Sequence, residues 1–250
     1  RYCFGGNEYS FNHFKVLIEK QLRVLKVIIA TNPYHLEFIK KNIYINNPYY
    51  IHDKKFIVIG NVYDCEISID SKKEHEIKYD FLFCGKLNKP GVIQKGLEDV
   101  LFAFRNLSKV KEFKACVVGD GSELAMIRDK WQSECIEFTG KVAREKVKYL
   151  IESSKFIVMP SRFEGMAIFL LEALSLAKPI IITNETGSSH LVINTVTGFK
   201  VNIADINSLT NNLLKHSLIP EHIVIRDKKS IDDILEKCNC NINQLPIILK

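Results

Sequence analysis

Pro160-Ser161-Arg162-Phe163-Glu164-Gly165-Met166-Ala167-Ile168-Phe169-Leu170-Leu171-Glu172-Ala173 is the stretch whose reading decides the fold of this chain. The apolar run Phe156 to Met159 before it reads as a strand and the residues after Gly165 favour helix, so it marks a strand-to-helix turn. Such turns build anion sites. Gly165 admits close backbone approach, and the N–H groups of Met166, Ala167 and Ile168 are expected to point out of the helix start, where the dipole favours a phosphate. From Met166 to Ala177 only Glu172 and Ser175 carry a polar side chain, the pattern of a buried helix. A carboxylate inside such a helix is costly unless something satisfies it. Helical side chains lean toward the N-terminus, so Glu172 is expected to reach back toward the turn and Glu164.

Two carboxylates beside a phosphate cradle would repel the phosphates themselves. They are better suited to accepting hydrogen bonds from sugar hydroxyls, so the stretch is expected to hold a nucleotide-sugar. Outward from it, strands and helices alternate: strand Phe81 to Cys84, helix Gly96 to Leu107, strand Lys114 to Val118, helix Glu123 to Gln132, strand Ile136 to Phe138. The series continues with helix Arg144 to Ser153, strand Phe156 to Met159, helix Met166 to Leu176 and strand Ile180 to Thr183; Thr197-Gly198-Phe199 leads into a last strand. The expected class is α/β, a Rossmann-like parallel sheet with helices on both faces and ligands at the C-terminal strand ends.

Before this domain, Phe11, Phe14, Ile18, Leu22 and Leu25 form an amphipathic helix pattern, Val27 to Ala30 and Phe56 to Ile59 read as strands, and Thr31-Asn32-Pro33 opens a helix over Tyr34 to Lys41. These pieces are too few for a sheet of their own, and the chain begins at Arg1 rather than Met, so the remainder of a second Rossmann-like domain is expected upstream. We divide the chain into that partial domain (1–64), a polar linker (65–79) containing the charged run Ser71 to Lys78, the complete domain (80–216), and a tail (217–250). In the tail His222 to Ile225 suggests a strand and Ile231 to Cys238 a helix.

Glu164 and Glu172, eight residues apart, resemble the E-x7-E signature of retaining glycosyltransferases of family 4 type, which have the GT-B fold. Ile59-Gly60-Asn61-Val62-Tyr63-Asp64 resembles that family's interdomain connector. The resemblance implies transfer of a sugar from a nucleotide-diphosphate donor to an acceptor hydroxyl with retention and without a metal. The donor is a substrate, so no cofactor is implied; the acceptor would be a saccharide or lipid-linked. It also implies that Glu172 binds the donor ribose, Glu164 the transferred sugar, and Lys86 and Lys95 the diphosphate, with the N–H groups after Gly165 assisting.

Gly85-Lys86-Leu87 and Lys95-Gly96 resemble the family's G-R-L and K-G pair. Lys86 stands where Arg is usual, which keeps the charge and loses the bidentate geometry, and the loop Asn88 to Gln94 is longer than the family's. Two cations aimed at a diphosphate stabilise it as it leaves. Gly119-Asp120-Gly121 resembles a strand-end turn of the family, where Gly119 serves either a tight connection or the ligand; Thr139-Gly140-Lys141-Val142 resembles the segment whose backbone faces the base. Arg162 is either a third cation or a surface residue. In Thr186-Gly187-Ser188-Ser189-His190 the family's usual Glu is replaced by His190, to which we assign no role. Alternatives of other kinds are an epimerase on the same cradle and a binding module without turnover.

The net charge of +6 comes mostly from residues 1–60, which carry nine Lys/Arg against four Asp/Glu. That excess would suit peripheral contact with an acidic membrane surface, and a cytoplasmic site is expected. The aromatics are not interleaved with the basic residues, so nucleic acid is not an expected partner. The seven cysteines are scattered without a C-x-x-C pair, a reduced pattern, and Cys238-Asn239-Cys240 is too close-set for zinc. No D-x-D, G-x-G-x-x-G, G-x-x-x-x-G-K-[ST] or H-E-x-x-H motif occurs, and Asp64-Cys65-Glu66 is read as part of the connector.

Overall fold

The computed structural model describes residues 27–33, 36, 37, 41, 55–61, 76–184 and 186–217. The expected helix at Phe11 to Leu25, most of the one at Tyr34 to Lys41, the connector beyond Asn61, the run 71–75, Asp64-Cys65-Glu66, and the elements and cysteines of the tail lie outside them.

Two short strands, β1 (Val27–Ala30) and β2 (Lys55–Val58), pair in parallel with Val27 opposite Lys55. β1 alternates, with Ile28 and Ala30 buried and Val27 and Ile29 exposed, as a half-buried strand does. After it Asn32 is fully buried, and its carbonyl accepts from Leu36 N–H at 3.4 Å.

The larger unit is a sheet whose strands are β3 (Tyr79–Cys84), β4 (Ala115–Val118), β5 (Ile136–Gly140), β6 (Ser154–Met159), β7 (Ile180–Thr183) and β8 (Gly198–Val201). Every pairing is parallel and the spatial order is β5-β4-β3-β6-β7-β8. From β3 the chain builds outward one way to β5, then returns to β6 and builds the other way. A crevice therefore opens where the order reverses, at the C-terminal ends of β3 and β6.

Both faces of the sheet are covered, so β4 and β7 are buried at every position, while the edge strand β5 still alternates. Phe81, Phe83, Val117 and Val158 pack under α2 (Leu97–Leu107) and α6 (Ile206–Ser217), with Leu97, Leu101, Phe104 and Leu213 filling the space. On the opposite face Leu82, Cys116 and Ile157 meet Leu150 and Ile151 of α4 (Arg144–Glu152) and Leu170, Leu171 and Leu174 of α5 (Ile168–Ser175). Phe81 centres the first layer, its ring within 6.3 Å of those of Phe104, Phe113 and Phe156. Helix α3 (Leu124–Trp131) completes the set on the α2 side.

The segment expected as a loop, Asn88 to Gln94, is a helix instead. In α1 (Lys89–Lys95) the Asn88 side chain caps the start by accepting from Gly91 N–H at 2.9 Å, and Pro90 lies in the first turn, where its missing N–H is no loss. Gly96 ends α1 at φ +66°, and a Cβ there would meet the Pro160 carbonyl oxygen at 2.2 Å.

His216, 1 % exposed near the end of α6, stacks on Phe199 at 3.4 Å between ring centroids, and among the described residues neither ring nitrogen has a hydrogen-bond partner. Burial, with Lys215 adding to it, pushes its imidazolium down to about 4. The native state therefore holds it neutral while the unfolded chain binds a proton below the ordinary histidine value. Stability present above about pH 6.5 is expected to fall by on the order of 2–3 kcal/mol as the pH drops toward 4. Urea midpoints across that range should show the loss, and His216→Phe should flatten it.

Candidate functional site

The turn between β6 and α5 is held from four sides. Thr183 Oγ1 donates to the Ser161 carbonyl at 2.5 Å, Gln94 Nε2 to that of Phe163 at 3.3 Å, Gly187 N–H to that of Glu164 at 2.9 Å, Ser188 Oγ to that of Gly165 at 3.1 Å and Asn61 Nδ2 to that of Met166 at 2.6 Å. A glycine is required at 187, since a Cβ would meet the Gly165 carbonyl oxygen at 2.5 Å and Asn32 Nδ2 at 2.4 Å. The turn is thus fixed before any ligand arrives.

Arg162 belongs to this scaffold. Its N–H donates to the Gln94 carbonyl at 2.8 Å, and its guanidinium faces both carboxylate oxygens of Asp99 at 2.9 and 3.0 Å and reaches the Ile93 carbonyl at 3.2 Å. Between the two sequence readings, third cation or surface residue, the structure gives a third: a half-buried clamp between α1, α2 and the turn.

That clamp brings Lys95, the last residue of α1, onto Glu164, and Lys95 Nζ is in direct hydrogen-bonded contact with Glu164 Oε2. Both side chains are mostly buried, at 22 % and 14 % exposure. Gly85 leaves room for the lysine stem, since a Cβ there would sit 3.1 Å from Lys95 Cγ. Lys86 is exposed in the same loop.

Glu172 also has a cation. Arg144 Nε lies 3.5 Å from its Oε1, with the glutamate side chain 15 % exposed and the arginine 73 %. Arg144, Glu145, Lys148, Ile151, Glu172 and Leu176 line a cleft of about 240 Å³ between α4 and α5. Helix α5 is therefore not buried all round as the sequence suggested: Ile168 is 52 % exposed, and Glu172 sits at the edge of a cleft rather than inside the core. Burial still pushes the Glu172 carboxyl up, and Arg144 works against that shift.

The neighbouring Cys84, at the end of β3, is raised to about 11 by burial, then by the Glu172 charge, with Lys95 opposing. One thiol thus feels both Glu172 and Lys95, so the two ion pairs share one end of the sheet.

Of the N–H groups expected to receive a phosphate, that of Ala167 is already engaged, donating to Ser188 Oγ at 3.0 Å. Helix α5 begins at Ile168 rather than Met166, and the N–H groups of Ile168 and Phe169 are the first without intrahelical acceptors. Met166 Sδ accepts from Asn61 N–H at 3.0 Å. Lys141 is exposed and Val142 half-buried on the segment that follows β5, and His190 Nδ1 contacts the Gly187 carbonyl at 2.7 Å. Sequence reasoning missed Arg144, Asp99, Ser188 and Asn61. Their partners lie 21 to 105 residues away along the chain, beyond the reach of any local pattern.

Residues 78–217 match the family model described as glycosyl transferases group 1. Among curated proteins, the chain is 30% identical over 103 residues to the UDP-Gal:alpha-D-GlcNAc-diphosphoundecaprenol alpha-1,3-galactosyltransferase of Escherichia coli, covering 40% of this chain and 26% of that protein. It is 27% identical over 154 residues to the amylovoran biosynthesis glycosyltransferase AmsD of Erwinia amylovora, covering 56% and 44%. Both alignments span less than half of the relative's own length. Among solved structures, a trehalose-6-phosphate synthase superposes with a TM-score of 0.72 at 13% identity, covering 96% of this chain and 64% of the other. Sucrose-phosphate synthase from Thermosynechococcus elongatus gives 0.68 at 14%, covering 98% and 64%; at these identities the likeness concerns the fold.

Proposed function

Because the chain belongs to the glycosyl transferases group 1 family, we propose that it holds the donor side of a glycosyltransferase of family 4 type, moving a sugar from a nucleotide-diphosphate donor to an acceptor hydroxyl with retention and without a metal. The observation that carries this reading is the convergence of two cation-paired glutamates at the crevice end of the sheet, Lys95 with Glu164 and Arg144 with Glu172. Glu172, beside the cleft, accepts the ribose hydroxyls, and the base lies toward Lys141 and Val142. Glu164 accepts hydroxyls of the transferred sugar. Lys95, aided by Lys86 and the N–H groups opening α5, carries the charge that develops on the departing diphosphate. The acceptor is a saccharide or a lipid-linked saccharide, consistent with the names of the curated relatives. Among the described residues no helix is long and apolar enough to cross a membrane, and the basic excess in residues 1–60 suits peripheral contact with an acidic one.

Calorimetric titration with UDP-, GDP- and ADP-sugars tests the donor site. Glu172→Ala is expected to weaken binding by about 1–3 kcal/mol, the cost of leaving buried hydroxyl donors unpaired. Unchanged affinity in a folded variant would refute the role. Retention is read from the anomeric configuration of the product by NMR.

A further inference from the structure

We propose that Arg144 is the counter-ion that holds Glu172 as a carboxylate for the donor's ribose, a positioning residue acting through Glu172. The inference rests on the donor reading above and extends it to a residue outside the E-x7-E pair.

Its placement is unfavourable for the helix it belongs to. Arg144 is the first residue of α4, where the dipole disfavours a cation, and the preceding Ala143 offers no side-chain cap. A positive charge there breaks a local rule, and what it gains is the contact to Glu172 at 3.5 Å across the cleft. Glu172 needs it. Burial alone favours the protonated acid, and a protonated carboxyl offers fewer acceptor positions to a ribose diol.

The other groups around Glu172 do not replace Arg144. From α4, Glu145 and Lys148 line the same cleft with opposite charges. From β3, burial keeps the Cys84 thiol neutral. Lys95 is engaged with Glu164. Arg144 is 73 % exposed, so the charge that faces Glu172 lies largely at the surface of the cleft.

The test is calorimetric titration with UDP-glucose, GDP-mannose and ADP-glucose between about pH 5 and pH 8; in these sugar-linked donors the diphosphate lacks the terminal monoester that titrates near pH 6. For the donor that binds, Arg144→Gln should move the midpoint of the acid-side loss of affinity upward, and Arg144→Lys should return it toward the wild-type position. A profile for Arg144→Gln that superimposes on wild type overturns the proposal. So does an equal loss at every pH, which would make Arg144 a direct contact of the nucleotide. Glu172→Gln separates the two levels: wild-type affinity in that variant sinks the donor reading itself. Weak binding in it, beside a wild-type profile for Arg144→Gln, sinks only the counter-ion role.

Discussion

Replacing Lys95 with Ala is expected to slow release of nucleoside diphosphate from the donor by about 10²–10³-fold. Lys95 ends α1, its stem lies against Gly85, and its ammonium is held beside the turn that opens α5. In the proposed reaction negative charge grows on the diphosphate as the glycosidic bond breaks, so a cation fixed there stabilises the transition state more than the bound donor. The rate should therefore fall more than the affinity does. The ligand-free ion pair supplies a competing explanation, in which Lys95 merely neutralises a mostly buried Glu164. The double variant Lys95→Ala with Glu164→Gln separates the two. If neutralisation were the whole role, removing both charges would restore the rate; we expect it to remain low, and recovery would assign Lys95 to the scaffold.

How much of this was legible in the sequence depended on the range of the interaction that decides each residue. The β-α alternation is local, and all the expected strands and helices from Phe81 to Thr183 are present within a few residues of their expected ends. Asn88 to Gln94 was misread because Pro90 and Gly91 look like loop residues. In place, Pro90 sits in a first turn, and Gly91 is demanded by the Lys86 carbonyl oxygen, 2.5 Å from where its Cβ would be. Glu172 stood out because it interrupts an apolar helix, yet its cation, Arg144, belongs to a different helix with nothing in its neighbourhood to mark it. The same holds for Ser188, whose hydroxyl takes the Ala167 N–H that the sequence left to a phosphate. Tertiary partners of this kind leave no periodic trace.

Gly119 is the residue for which the sequence left a tight connection nearly as open as ligand contact, and Gly119→Ala is expected to cost roughly 3–5 kcal/mol of stability. Its φ of +148° is one that side chains with a Cβ rarely adopt, and an added Cβ would fall 1.8 Å from the Gly85 carbonyl oxygen. Neither end of the turn can yield easily. Gly119 N–H donates to the Gly140 carbonyl at 3.1 Å, while the Asp120 carbonyl accepts from Leu87 N–H at 2.9 Å and Gly85 N–H donates to Val118 at 3.0 Å. Relief of the clash must therefore push the Gly85-Lys86-Leu87 loop outward, and that loop shares the crevice end of β3 with Lys95. A lowered urea midpoint should thus be accompanied by weaker donor binding in the fraction that remains folded. Gly198→Ala is the control: its Cβ would meet the Ile180 carbonyl oxygen at 1.9 Å at φ +155°, an equally severe clash on the far side of the sheet. It should lower stability while leaving donor affinity unchanged. If instead Gly119→Ala binds donor normally once folded, the turn supports the sheet alone, and the positions of Gly85 and Lys86 do not depend on it.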